Sequence, residues 1–125
     1  MNPLVTAGIT ELTTAALSGW LMVLVIQAPS VLRRAGVRRP QRIRQAHLDL
    51  VMMGTILVAA GAAVPRLPGW VAMLITLGAV LQPLLFLPLA VRPGLARARA
   101  FQTLVAAVFA ATSAGWVALA VTVFT

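Results

Sequence analysis

Four long apolar stretches, separated by short polar or arginine-bearing segments, set the pattern of this chain. They run from about Thr6 to Ala28, His47 to Val64, Trp70 to Ala90 and Ala100 to Phe124. A bilayer core of about 30 Å takes roughly 20 apolar residues at about 1.5 Å each, so every stretch is long enough to cross it as a helix. Pro29 and Pro65 stop the first two. Lipid gives a backbone no hydrogen-bond partner, so each span must bond within itself. The pattern predicts an all-α fold: an integral membrane four-helix transmembrane bundle, one domain over residues 1–125.

Composition agrees. The chain is 61% hydrophobic and 10% charged, with a mean hydropathy of +0.98. A soluble domain carries about 25% charged residues. Too little charge is present to cover a globule, so the lipid bilayer is the main partner. The net charge of +8 raises the question of nucleic acid. All ten basic residues are arginines that punctuate apolar runs, without the aromatic interleaving of a nucleic-acid surface. They read as membrane-flanking residues that also attract anionic head groups.

Their distribution orients the bundle. Arg33, Arg34, Arg38, Arg39, Arg42 and Arg44 lie between the first two spans, and Arg92, Arg97 and Arg99 between the last two. The intervening loop holds only Arg66. The positive-inside rule puts the two arginine-rich loops in the cytoplasm and both termini outside, in a cytoplasmic membrane. Trp70 marks an interface at the start of the third span. Within that span Pro83 and Pro88 are expected to bend the helix and free carbonyls near Ala79 and Leu84. The fourth span carries a stripe of small residues, Thr103, Ala107, Ala110, Ala114 and Ala118. It predicts close helix packing, within the bundle or between subunits.

Ionisable groups inside a span are costly and therefore candidate functional residues. Glu11, His47 and Asp49 qualify, with Gln82 as a weaker fourth. His47, the only histidine, shares one helix face with Gly54 and Gly61, seven and fourteen residues on. An imidazole at the rim of a glycine-floored groove suits a flat ligand with a central metal, and haem iron is the candidate. The competing reading is an interfacial histidine beside glycines that permit helix contact. A zinc site lacks ligands, and the absence of Cys removes thiolates altogether. Asp49 lies about 200° around the helix from His47, where a loop arginine is one potential partner. Glu11, with Thr14 and Ser18, forms a thin polar stripe expected to face the bundle. Antiparallel spans would separate Glu11 from His47 by about 20 Å along the membrane normal.

The segment Ala46-His47-Leu48-Asp49-Leu50-Val51-Met52-Met53-Gly54 resembles the start of the second span in the styrene oxide isomerase and hydroxylaminobenzene mutase family. The Ala-His pair, the acid two residues on and the glycine seven on carry the resemblance, together with the four-span layout. It implies a homotrimer in which His47 is the axial ligand of haem b, with Gly54 and Gly61 admitting the porphyrin. In the isomerases, ferric haem acts as a Lewis acid on an epoxide oxygen, giving an aldehyde. Two departures stand out. Met53 replaces the family Asn, and Phe86 falls near the position of a family Tyr, in a chain with no Tyr and only Asn2 as Asn.

Three functions follow as expectations. One is a haem-b protein, an isomerase of a small apolar substrate or a derivative lacking that activity, with Asp49, Gln82 and Glu11 as candidate catalytic residues. Another is a small proton-coupled multidrug-type transporter using Glu11. The third is a non-catalytic structural membrane subunit.

Overall fold

The computed structural model describes residues 2–125. Its elements are α1 (Pro3–Gln27), α2 (Pro29–Arg34), α3 (Pro40–Ala63), α4 (Gly69–Leu84), α5 (Phe86–Val91), a 3-10 turn (Pro93–Arg97) and α6 (Arg99–Phe124). Four helical stretches have the length and hydropathy to cross a membrane: α1, α3, α4 with α5, and α6. The fold is the all-α transmembrane bundle that the apolar pattern predicts.

Local chemistry explains the boundaries. Proline opens α1, α2 and α3, where its missing N–H has no partner to lose and its fixed φ suits the first turn. The Asn2 side chain accepts the Leu4 N–H at 2.8 Å and donates to the Pro65 carbonyl at 3.2 Å. One residue thereby caps α1 and ties it to the loop between the second and third spans. The third span breaks at Leu85, between α4 and α5. Pro88 has no N–H for the Leu84 carbonyl, so the ladder fails at the expected place.

The second span differs from its expected start. Helix α3 begins at Pro40, so His47 sits two turns inside a continuous helix and not at its entrance. The apolar run marks only the part of α3 suited to lipid, whereas Pro40 fixes where the helix starts.

The helices pack in the order α1, α3, α4 with α5, then α6. α1 lies chiefly on α3, and α4 chiefly on α6. No packing joins α3 to α6 among the described residues. Leu4, Leu57, Val71, Ala72, Ile75 and Ala79 form the buried centre where α1, α3 and α4 meet. Large apolar side chains such as Leu17, Trp20, Ile26, Trp70, Met73 and Val117 point outward instead, as befits a surface solvated by lipid.

Close approach depends on glycine. Gly8 and Gly54 bring α1 against α3, and Gly115 brings α6 against Leu74 and Ile75 of α4. The small-residue stripe of α6 is placed differently from a packing seam within the bundle. Thr103, Ala107, Ala110 and Ala114 are exposed, while Val108 and Gly115 are buried. Thr112 of α6 packs on Gly78 of α4, and of the stripe only Ala118 is half-buried and packs against the core.

Both arginine-rich loops lie at one end. The Ala90 carbonyl accepts the backbone N–H groups of Arg38 and Arg39 at 2.8 and 2.9 Å, which clasps the two loops together. Arg66 lies at the opposite end, beside Asn2.

Candidate functional site

The face of α3 that carries His47, Gly54 and Gly61 is a single face, as the heptad spacing requires, and helix α1 covers it. A Cβ on Gly54 would stand 2.9 Å from Leu12 Cγ and 3.2 Å from Glu11 Cβ. A Cβ on Gly61 would stand 2.7 Å from Val5 Cγ2 and 3.0 Å from Leu4 Cβ. Gly54 and Gly61 therefore make a helix contact, and the groove expected for a porphyrin is filled by α1. The glycine spacing was legible; what it admits is another backbone.

The register also brings Glu11 and His47 closer than expected. Glu11 lies beside Gly54, and Ser18 lies beside His47. Seven residues separate the two levels on either helix, about 10 Å of rise and not 20 Å. Tight antiparallel packing through Gly8, Gly54 and Gly61 sets this register. Glu11 is 4% exposed, and neither carboxylate oxygen has a hydrogen-bond partner among the described residues.

His47 is half-buried over Gly19 and borders a narrow cleft of about 140 Å³ between α1, α3 and the break in the third span. Thr14, Ser18, Pro83 and Leu87 share that cleft. Ser18 Oγ donates its one hydrogen to the Ala15 carbonyl at 3.0 Å. The same oxygen lies 3.3 Å from His47 Nδ1, a contact whose direction follows the imidazole tautomer. In the tautomer with Nδ1–H donated to Ser18, Nε2 would carry the lone pair that binds metals.

That donor is compatible with an axial haem ligand, but the space is not. Pockets for cofactor-sized molecules run to about 300–1,000 Å³. The cleft is well below that, and the glycine floor is occupied. A porphyrin does not fit against His47 within one copy of the chain.

A second chamber lies on the other side of α3. Because α3 and α6 do not pack together, they leave a space walled by α5, with a volume of about 350 Å³. Asp49 lines it from α3, Gln82 and Phe86 from the third span, and Phe101 and Phe109 from α6. Asp49 and Gln82, two separate candidates in the sequence, meet here. Phe86 lines the same chamber.

No family model matches this chain, and neither does any curated protein or solved structure.

The polar groups of the chamber are set in place by neighbours. Gln82 Nε2 donates to Thr112 Oγ1 at 3.1 Å, and Thr112 donates onward to the Val108 carbonyl at 2.9 Å. This fixes the Gln82 amide and leaves its oxygen available as an acceptor. Asp49 makes no ion pair with an arginine within 4.0 Å among the described residues, contrary to one reading of its position. Phe101, Phe109 and Thr112 were not among the sequence candidates. An aromatic or a hydroxyl in an apolar span carries no signal until the packing shows what it borders.

Proposed function

We propose that the chain binds a small, mainly apolar molecule with one polar or cationic group, which enters from the bilayer into the chamber between α3 and α6. The observation that carries this reading is the meeting of Asp49 and Gln82 with three phenylalanines in a space of about 350 Å³. The volume suits a single aromatic ring with a short substituent. The phenylalanine faces contact the ring or a cation, while Asp49 and the Gln82 oxygen take the polar group. Asp49 is also the group able to move a proton to or from the bound molecule. Resemblance to the epoxide isomerases makes an epoxide the first substrate class to try.

Equilibrium dialysis of the purified protein in lipid nanodiscs tests the reading with three probes: styrene oxide, phenylethylamine and ethylbenzene. The epoxide or the amine is expected to bind more tightly than ethylbenzene, and Asp49→Asn should erase the difference. Equal binding of all three, or an Asp49→Asn variant that behaves like the parent, disposes of the proposal. Product analysis of the epoxide sample distinguishes turnover to a carbonyl compound from binding alone.

A second reading concerns His47. The Ser18 hydroxyl beside its Nδ1 favours haem b held at a contact between copies of the chain, where a trimer like that of the family would supply the missing wall. Haem would there supply an electrophilic metal centre. A Soret band that persists in His47→Ala argues against this reading. Glu11 borders neither the His47 cleft nor the chamber between α3 and α6. With the arginine-bearing end inside, both termini lie outside a cytoplasmic membrane.

A further inference from the structure

The clasp between the arginine loops forms a concave surface that the chamber between α3 and α6 does not use. Gly36 turns the chain with a φ of 101°, and the Val37 N–H then returns to the Leu32 carbonyl at 2.9 Å. Together with the Arg38 and Arg39 bonds to Ala90, this holds the loop firmly against the end of α5. Between the loops lies a hollow of about 580 Å³, bordered by Arg38 from one loop and Arg92 from the other. Gly36 and Gly94, which also border it, have no atom within 4 Å of a potential Cβ, so backbone is open to a ligand on both sides. A second hollow of about 310 Å³, bordered by Arg39 and Arg42, adjoins it through Pro93.

Among the described residues these guanidinium groups have no counter-ion within 4.0 Å. The only two acids of the chain, Glu11 and Asp49, lie within the spans. Arg38 and Arg92 meet from two loops at the larger hollow, and of the four arginines at the two hollows only Arg42 has a side-chain partner among the described residues, Gln45 at 2.9 Å. Such an arrangement calls for an anion with several oxygens, which guanidinium groups bind in forked pairs. The hollow is not uniformly polar, because Val91 and Leu95 border it as well. Val91 ends the third span, at the level where acyl chains meet head groups.

We infer that the Arg38–Arg92 hollow is a binding site for the phosphate of an anionic phospholipid, with the start of an acyl chain resting on Val91 and Leu95. The apolar border distinguishes this ligand from free phosphate, and the convergence of two loops distinguishes it from general attraction to a charged surface.

Native mass spectrometry of the protein released from neutral detergent tests the site with phosphatidylglycerol and phosphatidylcholine of equal chain length. Phosphatidylglycerol is expected to stay bound and phosphatidylcholine to be lost. Arg38→Ala with Arg92→Ala should weaken binding about thirtyfold, from the usual contribution of each basic residue. Arg33→Ala with Arg34→Ala removes equal charge from α2 and should weaken it by less than about threefold. Both pairs should keep the parent circular dichroism, since the fold-bearing contact of Arg38 is its backbone N–H. If the alanine pair loses helix, Arg38→Gln with Arg92→Gln serves in its place. Equal losses from the two charge-matched pairs would overturn the proposal. So would equal retention of the two lipids, or displacement of phosphatidylglycerol by inorganic phosphate at the same concentration.

Discussion

Gly8 of α1 and Gly54 of α3 face each other so closely that a methyl group on Gly8 would stand 2.6 Å from the Gly54 carbonyl oxygen. The obstacle is backbone, which cannot rotate away as a side-chain end can. Gly8→Ala should therefore force α1 off α3 and lower stability by about 1–3 kcal/mol, the range for overpacking a close contact. Gly69→Ala is the matched control, since nothing lies within 4 Å of its potential Cβ. Thermal unfolding in detergent, followed by circular dichroism, should separate the two. Equal melting temperatures would show that α1 and α3 do not meet through these glycines.

The same contact holds Glu11 with both oxygens unpartnered among the described residues. A buried polar group without a bond costs about 1–3 kcal/mol, and an apolar group of similar shape removes that cost. Glu11→Met should leave the melting temperature unchanged or raise it. A marked fall would mean that Glu11 has a partner in the membrane, and would return the transporter reading to consideration.

Much of this arrangement was legible because hydropathy and arginine placement act over long stretches. The four spans, the break near Pro88 and the single face of His47, Gly54 and Gly61 all come from period and side-chain type. The occupant of that face was not legible. A glycine row permits a porphyrin and a helix backbone equally, and only the pairing of α1 with α3 decides between them. The chamber was hidden for a related reason. Asp49, Gln82, Phe101 and Phe109 lie on three separate spans, and what joins them is the lack of packing between α3 and α6.

The bond from Gln82 to Thr112 links the third and fourth spans beside that chamber. Interhelical bonds in membranes contribute about 0.6 kcal/mol on average and up to about 1.7. Thr112→Val keeps the shape and should cost an amount in that range. It should also weaken binding of the polar probe relative to ethylbenzene, because the Gln82 amide is then free to turn. Thr122→Val removes a hydroxyl bonded only to its own helix, at the Ala118 carbonyl, and should change neither property.

Ser18 provides a sharper test of the haem reading than His47 alone. If Nδ1–H is fixed by Ser18 Oγ, then Ser18→Ala frees the ring without removing the ligand. Loss of such an orienting partner typically lowers metal affinity about 10- to 100-fold. Titration with haemin should give a Soret band in the parent, a weaker-binding one in Ser18→Ala and none in His47→Ala. A Ser18→Ala variant with parental affinity would show that the hydroxyl does not set the imidazole for a metal.

The absence of cysteine from this chain makes its orientation in the membrane directly measurable. Gly94 lies between the last two spans at the arginine-bearing end, and Gly69 opens α4 at the opposite end. A Cβ at either position meets no atom within 4 Å, so Gly94→Cys and Gly69→Cys should fold like the parent. Nine of the ten arginines share the end that carries Gly94, a bias strong enough to govern insertion. In intact cells, a membrane-impermeant maleimide should label Gly69→Cys and leave Gly94→Cys unmodified until the membrane is opened. The reverse pattern would place the arginine clasp outside, and labelling of both variants in intact cells would mean that the chain inserts in two orientations.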